Sequence, residues 1–311
     1  MNISGLDLNL LRVFDAVHRE RNATRAARRV GLSQPAVSNA LSRLRSQLGD
    51  PLFQRAPEGL RPTARADALA GPVRDALALL EDALDGPGFE PARTRRTFRV
   101  AAVDYAVAVL LPRVARRLAA EAPHALLQVR PSIGGTLEML DEGEVDVGLL
   151  IRSAPPERFD AARLMRDRYV VMMRPDHPLA AAPLDVEAYA GARHLLVSPS
   201  NEAPGIMDTA LARLGATRTV AMVVSQFALA PPLLLSSDLI LTCPGRIAAI
   251  YGRAFGLAIR KAPFPPDGAG AVSMIWRRRL GEGPAPSWFR GLLAEEAAGL
   301  EEPQPDEDWE A

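Results

Sequence analysis

Apolar positions in the first sixty residues recur at helical spacing, and from about Thr97 they come as short runs separated by amphipathic stretches. Leu10, Val13, Phe14 and Val17 share one face of a helix expected from about Asn9 to Arg21. Ala26, Ala27 and Val30 do the same over Thr24 to Val30. Gly31 follows, where a left-handed turn is cheap because no Cβ opposes it. Ser33 suits the cap of a further helix, and Pro35 in its first turn gives up an N–H that would have no helical partner. Val37, Leu41, Leu44 and Leu48 then recur at steps of four, three and four, one stripe that stops at Gly49. The spacing predicts a helix-turn-helix. Phe53 and Leu60 around Pro57-Glu58-Gly59 predict two strands and a turn behind it, a wing.

The face opposite that stripe carries Pro35, Asn39, Ser42 and Ser46, flanked by Ser38 and Arg43. Gln34 lies nearer the stripe but can reach past the helix start. Small polar side chains near a helix N-terminus suit the major groove of double-stranded DNA, where they must reach base edges. Asn and Gln can bond adenine bidentately, and Arg43 is placed for phosphate or guanine. Arg55 and Arg61 flank the wing tip, where they either contact phosphates beside the groove or are simply solvated. An amphipathic helix pair within an ordinary core is the plainer alternative for the whole segment.

The run Leu32-Ser33-Gln34-Pro35-Ala36-Val37-Ser38, then Arg43-Leu44-Arg45, Leu48-Gly49-Asp50-Pro51-Leu52-Phe53 and Arg61-Pro62-Thr63 resemble the DNA-binding domain of LysR-type transcriptional regulators. With Leu6-Asp7-Leu8-Asn9-Leu10-Leu11, the match is similar to the branch of nodulation and aromatic-catabolism regulators. The resemblance spans nearly the whole chain. It implies a DNA contact set of Gln34, Pro35, Ser38, Asn39, Ser42, Arg43, Arg55, Arg61 and Thr63. It also implies a dimer or tetramer, with RNA polymerase as a partner it allows.

Residues 1–62 are thus expected as a winged head. Residues 63–86 are expected as a linker helix, since Leu69, Val73, Leu77, Leu80 and Leu84 form a narrow stripe suited to helix pairing. About 20 residues at 1.5 Å each make a rod of roughly 30 Å. Between two domains such a rod has little else to bury against, so a partner's copy is expected there, as the resemblance also implies. Residues 87–96, with Gly86-Pro87-Gly88 at their start and Pro91 within, are read as a hinge.

Over 97–300, strands and helices alternate, the pattern of a parallel α/β sheet. Strands are expected at Phe98–Val103, Leu126–Val129, Val145–Ile151, His194–Ser198, Thr219–Val224, Leu239–Thr242 and Val272–Arg277. One long amphipathic helix is expected over Val107–Ala122, and others at Leu137–Asp141, Gly205–Leu214, Phe227–Leu235, Arg246–Arg253 and Ser287–Ala298. Crossings near Arg168–Arg174 and Pro263–Val272 would join two α/β lobes, an arrangement similar to the periplasmic-binding-protein type 2 folds that the family uses to sense effectors. Residues 301–311 read as a disordered acidic tail.

Open parallel sheets bind ligands beyond the carboxyl ends of their strands. Asp104 and Tyr105 follow the first strand of this region. Ser132, with Gly134 in the same Gly-Gly loop, follows the second, as an anion cradle at a helix start or a bare turn. Arg152 lies past the third, pairing with an acid or merely solvated. Ser198, Asn201 and Thr242 occupy matching junctions further on, and Phe227 is a stacking surface or a core ring. His194 to Asp208 and Phe227-Ala228-Leu229-Ala230-Pro231-Pro232-Leu233-Leu234 look like sensing domains of the same branch. Its aromatic-acid sensors often carry a polar residue, sometimes His, before the glycine matching Gly205. Here Pro204 stands there, which weighs against a salicylate-like ligand and leaves an aromatic or other small organic acid as the expected effector.

Charge sharpens this division. The 311-residue chain is neutral overall, yet residues 1–65 hold eleven arginines against five acidic residues, a balance of +6. Residues 295–311 hold eight acidic residues and no basic one. A basic module on a neutral body is the footprint expected for phosphate contact. Only Lys261 among 37 basic residues is lysine, so coding bias contributes to the arginine excess. Cys243 is alone, which excludes an internal disulfide, and it follows an apolar run expected to be buried. His18, His124, His177 and His194 show no ligand spacing, so neither a metal nor a cofactor is expected. No G-x-S-x-G, P-loop or dinucleotide fingerprint points to an enzyme or to catalytic residues. No apolar run reaches the roughly 18 residues that span a bilayer, and the start lacks signal-peptide character, so a cytoplasmic, non-membrane protein is expected. A ligand-responsive, sequence-specific regulator is the leading expectation, with a non-specific DNA-packing protein as the alternative.

Overall fold

The computed structural model describes residues 7–57, 59–84, 89–151, 154–198, 205–265, 271–278 and 283–300. Two compact units emerge, one built mainly on Met1–Phe89 and one mainly on residues from Glu90 onward.

In the first unit, α1 (Leu8–Glu20), α2 (Ala23–Val30) and α3 (Gln34–Leu48) enclose a core of Leu10, Val13, Phe14, Val17, Val37, Leu41 and Leu44. Each helix starts on a side-chain cap. Asp7 accepts from Asn9 N, Asn22 from Thr24 N and Arg25 N, and Ser33 from Ala36 N. These bonds take up N–H groups that the first helical turn leaves orphaned. Strands β1 (Phe53–Ala56) and β2 (Gly59–Pro62) form the antiparallel wing, with Phe53 buried against Phe14. The wing docks on the end of α1, where Leu60 N donates to the Arg21 carbonyl at 2.7 Å. Gly59 sits at φ 127° beside that carbonyl, and a Cβ there would collide with its oxygen.

Helix α4 (Ala64–Leu84) follows the wing. Part of its apolar stripe packs within the head. Val73 is part of the head core, and Leu69 and Leu77, partly buried, pack on it. Helix α1 supplies surface that this part of α4 meets. Leu80 is exposed, and the side chain of Leu84 lies outside the described part. Of the expected hinge, residues 87 and 88 lie outside the described residues, and a 3-10 turn spans Pro91–Arg93.

The second unit holds two α/β lobes. The chain runs through β3 (Thr97–Ala102), α5 (Asp104–Val109), α6 (Leu111–Glu121), β4 (Leu126–Pro131), α7 (Thr136–Asp141), β5 (Val147–Ile151) and β6 (Phe159–Met165). It then crosses to β7 (Tyr169–Met173), α8 (Pro178–Ala181), α9 (Val186–Gly191), β8 (Arg193–Val197), α10 (Ile206–Arg213) and β9 (Thr219–Val224). The second lobe continues with α11 (Ala230–Leu235), β10 (Leu239–Pro244), α12 (Gly245–Phe255) and β11 (Ala258–Lys261). The return crossing leads to β12 (Val272–Arg277) and α13 (Pro284–Ala298) in the first lobe. There Phe289 stacks on Phe98, and Glu296 pairs with Arg113 of α6.

Two expectations fail here. The single helix over Val107–Ala122 is two helices broken at Leu110, because Pro112 has no N–H to continue the ladder of α5. The sheets are mixed, not parallel. In their orders, β4-β3-β5-β12-β6 and β9-β8-β10-β7-β11, four strands run one way and one runs against them, β12 in the first lobe and β7 in the second. The crossing strands cause this, since a chain entering or returning from the other lobe meets the sheet from the opposite end. Two lobes with mixed sheets joined by two crossings form the periplasmic-binding-protein type 2 arrangement expected from the resemblance. The acidic segment 301–311 lies outside the described residues.

Candidate functional site

The burial of α3 divides its two faces. Val37, Leu41 and Leu44 are buried, while Gln34, Pro35, Ser38, Asn39, Ser42 and Arg43 are all exposed. Gln34 Nε2 donates to Ser38 Oγ at 2.9 Å, so these two side chains lie together on the first turn. Arg43 has one acidic neighbour, Asp7 at 3.4 Å. Arg55 and Arg61 are exposed on neighbouring wing strands, where Gln54 faces Arg61 and Arg55 faces Leu60.

Thr63 has a different position from its expected companions. Its hydroxyl donates to Asp50 Oδ1 at 2.8 Å and accepts from Ala66 N at the start of α4. The same Asp50 oxygen accepts from Leu52 N at 2.7 Å, and Arg45 holds the carbonyls of Pro51 and Phe53. Together they hold Leu52 at φ 56°, a conformation few L residues adopt unaided. Asp50, Arg45 and Thr63 therefore build the turn that aims the wing.

In the second unit, the carboxyl ends of β3, β9 and β10 bring the two lobes together. Asp104, the first residue of α5, accepts a hydrogen bond from Phe227 N, a residue 123 positions away. Burial raises the Asp104 carboxyl above its ordinary range, against the lowering by the Phe227 and Ala228 N–H groups. Tyr105 is buried, and its hydroxyl donates to Asp167 Oδ2 at 2.8 Å. That oxygen also accepts from Arg246 N at 3.1 Å, with the Arg246 guanidinium at 3.7 Å. Burial raises the Asp167 carboxyl, opposed by these donors, and burial also raises the Tyr105 phenol.

The other expected positions separate. Ser132 Oγ bonds Thr136 Oγ1 at 2.9 Å within its own loop, where Gly134 is exposed at φ 114°. Ser198 is half-buried, and its N–H bonds Val224 O at the end of β9. Phe227 is half-buried at the lobe junction. Arg152, Asn201 and Pro204 lie outside the described residues. Thr242 joins a buried polar group that the sequence reading did not assemble. Its Oγ1 lies 2.7 Å from the Tyr189 hydroxyl, which Arg218 contacts at 2.9 Å. Arg218 is held by Asp208 through Nε at 2.8 Å and Nη2 at 3.0 Å. Burial would raise the Asp208 carboxyl, but the hydrogen bonds and charge of Arg218 bring it below its ordinary value.

Asp167, Arg246, Tyr189 and Arg218 are the residues missed. Asp167 follows β6, whose stretch Phe159-Asp160-Ala161-Ala162-Arg163-Leu164-Met165 is interrupted by Asp160 and Arg163 and so offers no long apolar run to announce a strand. A signal was available in Arg218, one arginine just before a strand of apolar residues. Cys243 is buried in β10, and burial raises its thiol. Among the described residues, no group of three or more His, Cys, Asp or Glu side chains is arranged to hold a metal ion. No described helix is long and apolar enough to cross a membrane.

Comparison with known proteins agrees with this division. Residues 8–67 match the family described as bacterial regulatory helix-turn-helix protein, lysR family, and residues 91–298 match the LysR substrate binding domain. The transcriptional activator NagR of a Ralstonia species is 37% identical over 298 residues, covering 95% of this chain and 98% of NagR. Nodulation protein D 1 of Bradyrhizobium japonicum is 33% identical, covering 97% of this chain and 94% of its own. The crystal structure of probable transcriptional regulator PA0477 from Pseudomonas aeruginosa aligns with a TM-score of 0.69 at 38% identity, over 93% of this chain and 97% of that one. With both units matched and full-length relatives of this identity, the chain belongs to the LysR family of transcriptional regulators, a DNA-binding head joined to an effector-binding domain, within reach of the nodulation and aromatic-catabolism regulators.

Proposed function

We propose that the protein is a sequence-specific regulator whose dimer or tetramer sets recognition helices on the two half-sites of an imperfect dyad, under the control of a small organic acid bound between the lobes. The observation that carries the DNA part is the exposed row Gln34, Pro35, Ser38, Asn39, Ser42 and Arg43, backed by a packed core on the other side of α3. A helix with one rigid side and one polar side can enter the major groove without losing its shape. In this reading Asn39 reads a base, while Arg55 and Arg61 touch phosphates and supply strength without sequence preference. Thr63 takes part through the wing turn.

Effector binding is supported by the meeting of Asp104, Tyr105, Asp167, Phe227 and Arg246 where the lobes join. A ligand there competes with or bridges contacts that already link the lobes, so its binding energy biases their closure. Linker and hinge then carry that change to the spacing of the heads. Self-association would use α4, on which Leu80 is exposed.

The test is selection of bound sequences from a random duplex library by the full-length protein and by Asn39→Ala. A dyad motif that loses information at a base pair in each half-site of the variant is expected. A motif unchanged in the variant removes Asn39 from the groove, and no enrichment over random DNA favours a non-specific packing role.

A further inference from the structure

The hydroxyl at the end of β10 has a direction imposed from behind it. The Arg218 side chain is only 1% exposed and spends Nε and Nη2 on Asp208. Its Nη1 points at the Tyr189 oxygen, 2.9 Å away. A guanidinium has hydrogens to give and no lone pair to receive, so Tyr189 accepts in that bond. His194 does not alter this. Its Nε2 lies 2.8 Å from the Tyr189 carbonyl oxygen, which can only accept, so that nitrogen carries the ring hydrogen. The Nδ1 lone pair faces Arg218 Nη1 at 3.4 Å, and burial pulls the ring down to about 4, leaving it neutral.

Arg218 can only donate to it, so Thr242 Oγ1, at 2.7 Å, is the acceptor available among the described residues for the Tyr189 hydroxyl hydrogen. Thr242 therefore receives, and its hydrogen is left over. That side chain is partly exposed at the carboxyl end of a parallel strand, and Tyr189 is its one hydrogen-bond partner among the described residues. Chains of bonds that run in one sense reinforce one another, so the charge of Arg218 favours this polarity over its reverse.

We propose that Thr242 is a specificity-determining hydrogen-bond donor to the effector, with Tyr189 and Arg218 as positioning residues that fix its polarity. The ligand group it takes is an acceptor oxygen, a carboxylate or a carbonyl. This rests on the reading that an effector binds between the lobes. A ligand that offers donors alone, such as an ammonium, leaves the Thr242 hydrogen unmet in a site already partly closed to water.

The experiment is calorimetric titration of the full-length protein with benzoate and with benzylamine, matched in shape and opposite in hydrogen-bonding sense. Wild type is expected to prefer benzoate. Thr242→Val, which keeps the shape without the hydroxyl, should lose affinity for benzoate by about tenfold, the worth of one hydrogen bond to a charged acceptor, and Thr242→Ser should restore it. Tyr189→Phe should narrow the benzoate-to-benzylamine ratio, a change that loss of packing alone would not produce. Neutron diffraction from deuterated wild type gives a readout independent of any variant's folding. A deuteron on Thr242 Oγ1 pointing away from Tyr189 supports the proposal. A deuteron lying on the line to Tyr189, or equal benzoate binding by wild type and Thr242→Val, overturns it while effector binding between the lobes stands. Binding of neither probe counts against the organic-acid reading itself, and the deuteron position still decides the polarity of Thr242.

Discussion

The outer face of α3 and the inner end of β10 are both polar, and they are built in opposite ways. On α3 the side chains are small, exposed and nearly free of charge, and the exposed Arg43 pairs with Asp7 at 3.4 Å. At β10 an arginine that is 1% exposed, a carboxylate, a histidine and a phenol are bonded in series behind one hydroxyl. The difference follows from the partners each can meet. A duplex brings a dense array of phosphates and an array of base edges, so the head needs reach and shape, and in the proposed reading the charge that binds lies to the side on the wing. A small ligand offers only a few polar atoms. Its recognition depends on groups held in place beforehand, and that rigidity has to come from within the protein.

The comparison breaks most visibly when one member of each set is removed. Asp208→Ala strands the Arg218 guanidinium in the interior of the second lobe without its bidentate partner. Removal of one member of a buried pair typically costs about 3–5 kcal/mol, whereas an exposed polar residue changes stability by about 0.5 kcal/mol or less. Chemical denaturation should show the large loss for Asp208→Ala and almost none for Asn39→Ala. Equal losses would mean that the Arg218 cluster is wetter than its burial implies.

The same cluster gives acid a handle that α3 lacks. His194 binds a proton near 6.5 in the unfolded chain and near 4 in the folded one, because burial and then the charge of Arg218 disfavour the imidazolium. Acid therefore favours the unfolded chain. The contribution of His194 is fully present above pH 6.5 and is lost as pH falls toward 4. Each tenfold weakening of proton binding corresponds to about 1.4 kcal/mol, so the loss is on the order of 3 kcal/mol. His18 moves in the same direction, with burial as the largest cause, so the decisive measurement is the difference between wild type and His194→Gln. The variant's stability should fall less steeply between pH 6.5 and 4. Parallel curves would show that the ring is hydrated in the folded protein.

The two regions also differ in what the sequence disclosed. Every feature of α3 is local. Ser33, Pro35, the stripe from Val37 to Leu48 and Gly49 lie within 17 consecutive positions, and each acts through its near neighbours. The lobe site is assembled from Asp104 and Phe227, Tyr105 and Asp167, Tyr189 and Thr242, pairs 123, 62 and 53 residues apart. Periodicity placed most of the strands that carry them, because strand ends follow from apolar runs. It could not say which ends meet, nor that β6 exists, since Asp160 and Arg163 interrupt the apolar residues of that edge strand. The mixed direction of the sheets was hidden for the same reason, as it depends on where the chain crosses between lobes. The α4 stripe was legible as an apolar surface, while its packing on the head was not, because periodicity marks Leu69 and Leu77 as apolar without saying what they meet.

The smallest expected effect tests whether the head separates reach from charge as neatly as α3 and the wing suggest. Arg55 is exposed on β1, facing Leu60 across the hairpin, with the turn beyond it. If it contacts one phosphate, Arg55→Ala removes one counterion-releasing contact and leaves the bases untouched. The logarithm of affinity against that of salt concentration should then flatten by about one unit of slope per half-site, and the ranking of DNA sequences should not change. Asn39→Ala should do the converse, keeping the slope and relaxing the preference at one base pair by about 1–3 kcal/mol. Filter binding of both variants to matched and mismatched duplexes over a salt series reads the two quantities together. A changed ranking in Arg55→Ala would place the wing in a groove, and the division of labour between α3 and the wing would have to be given up.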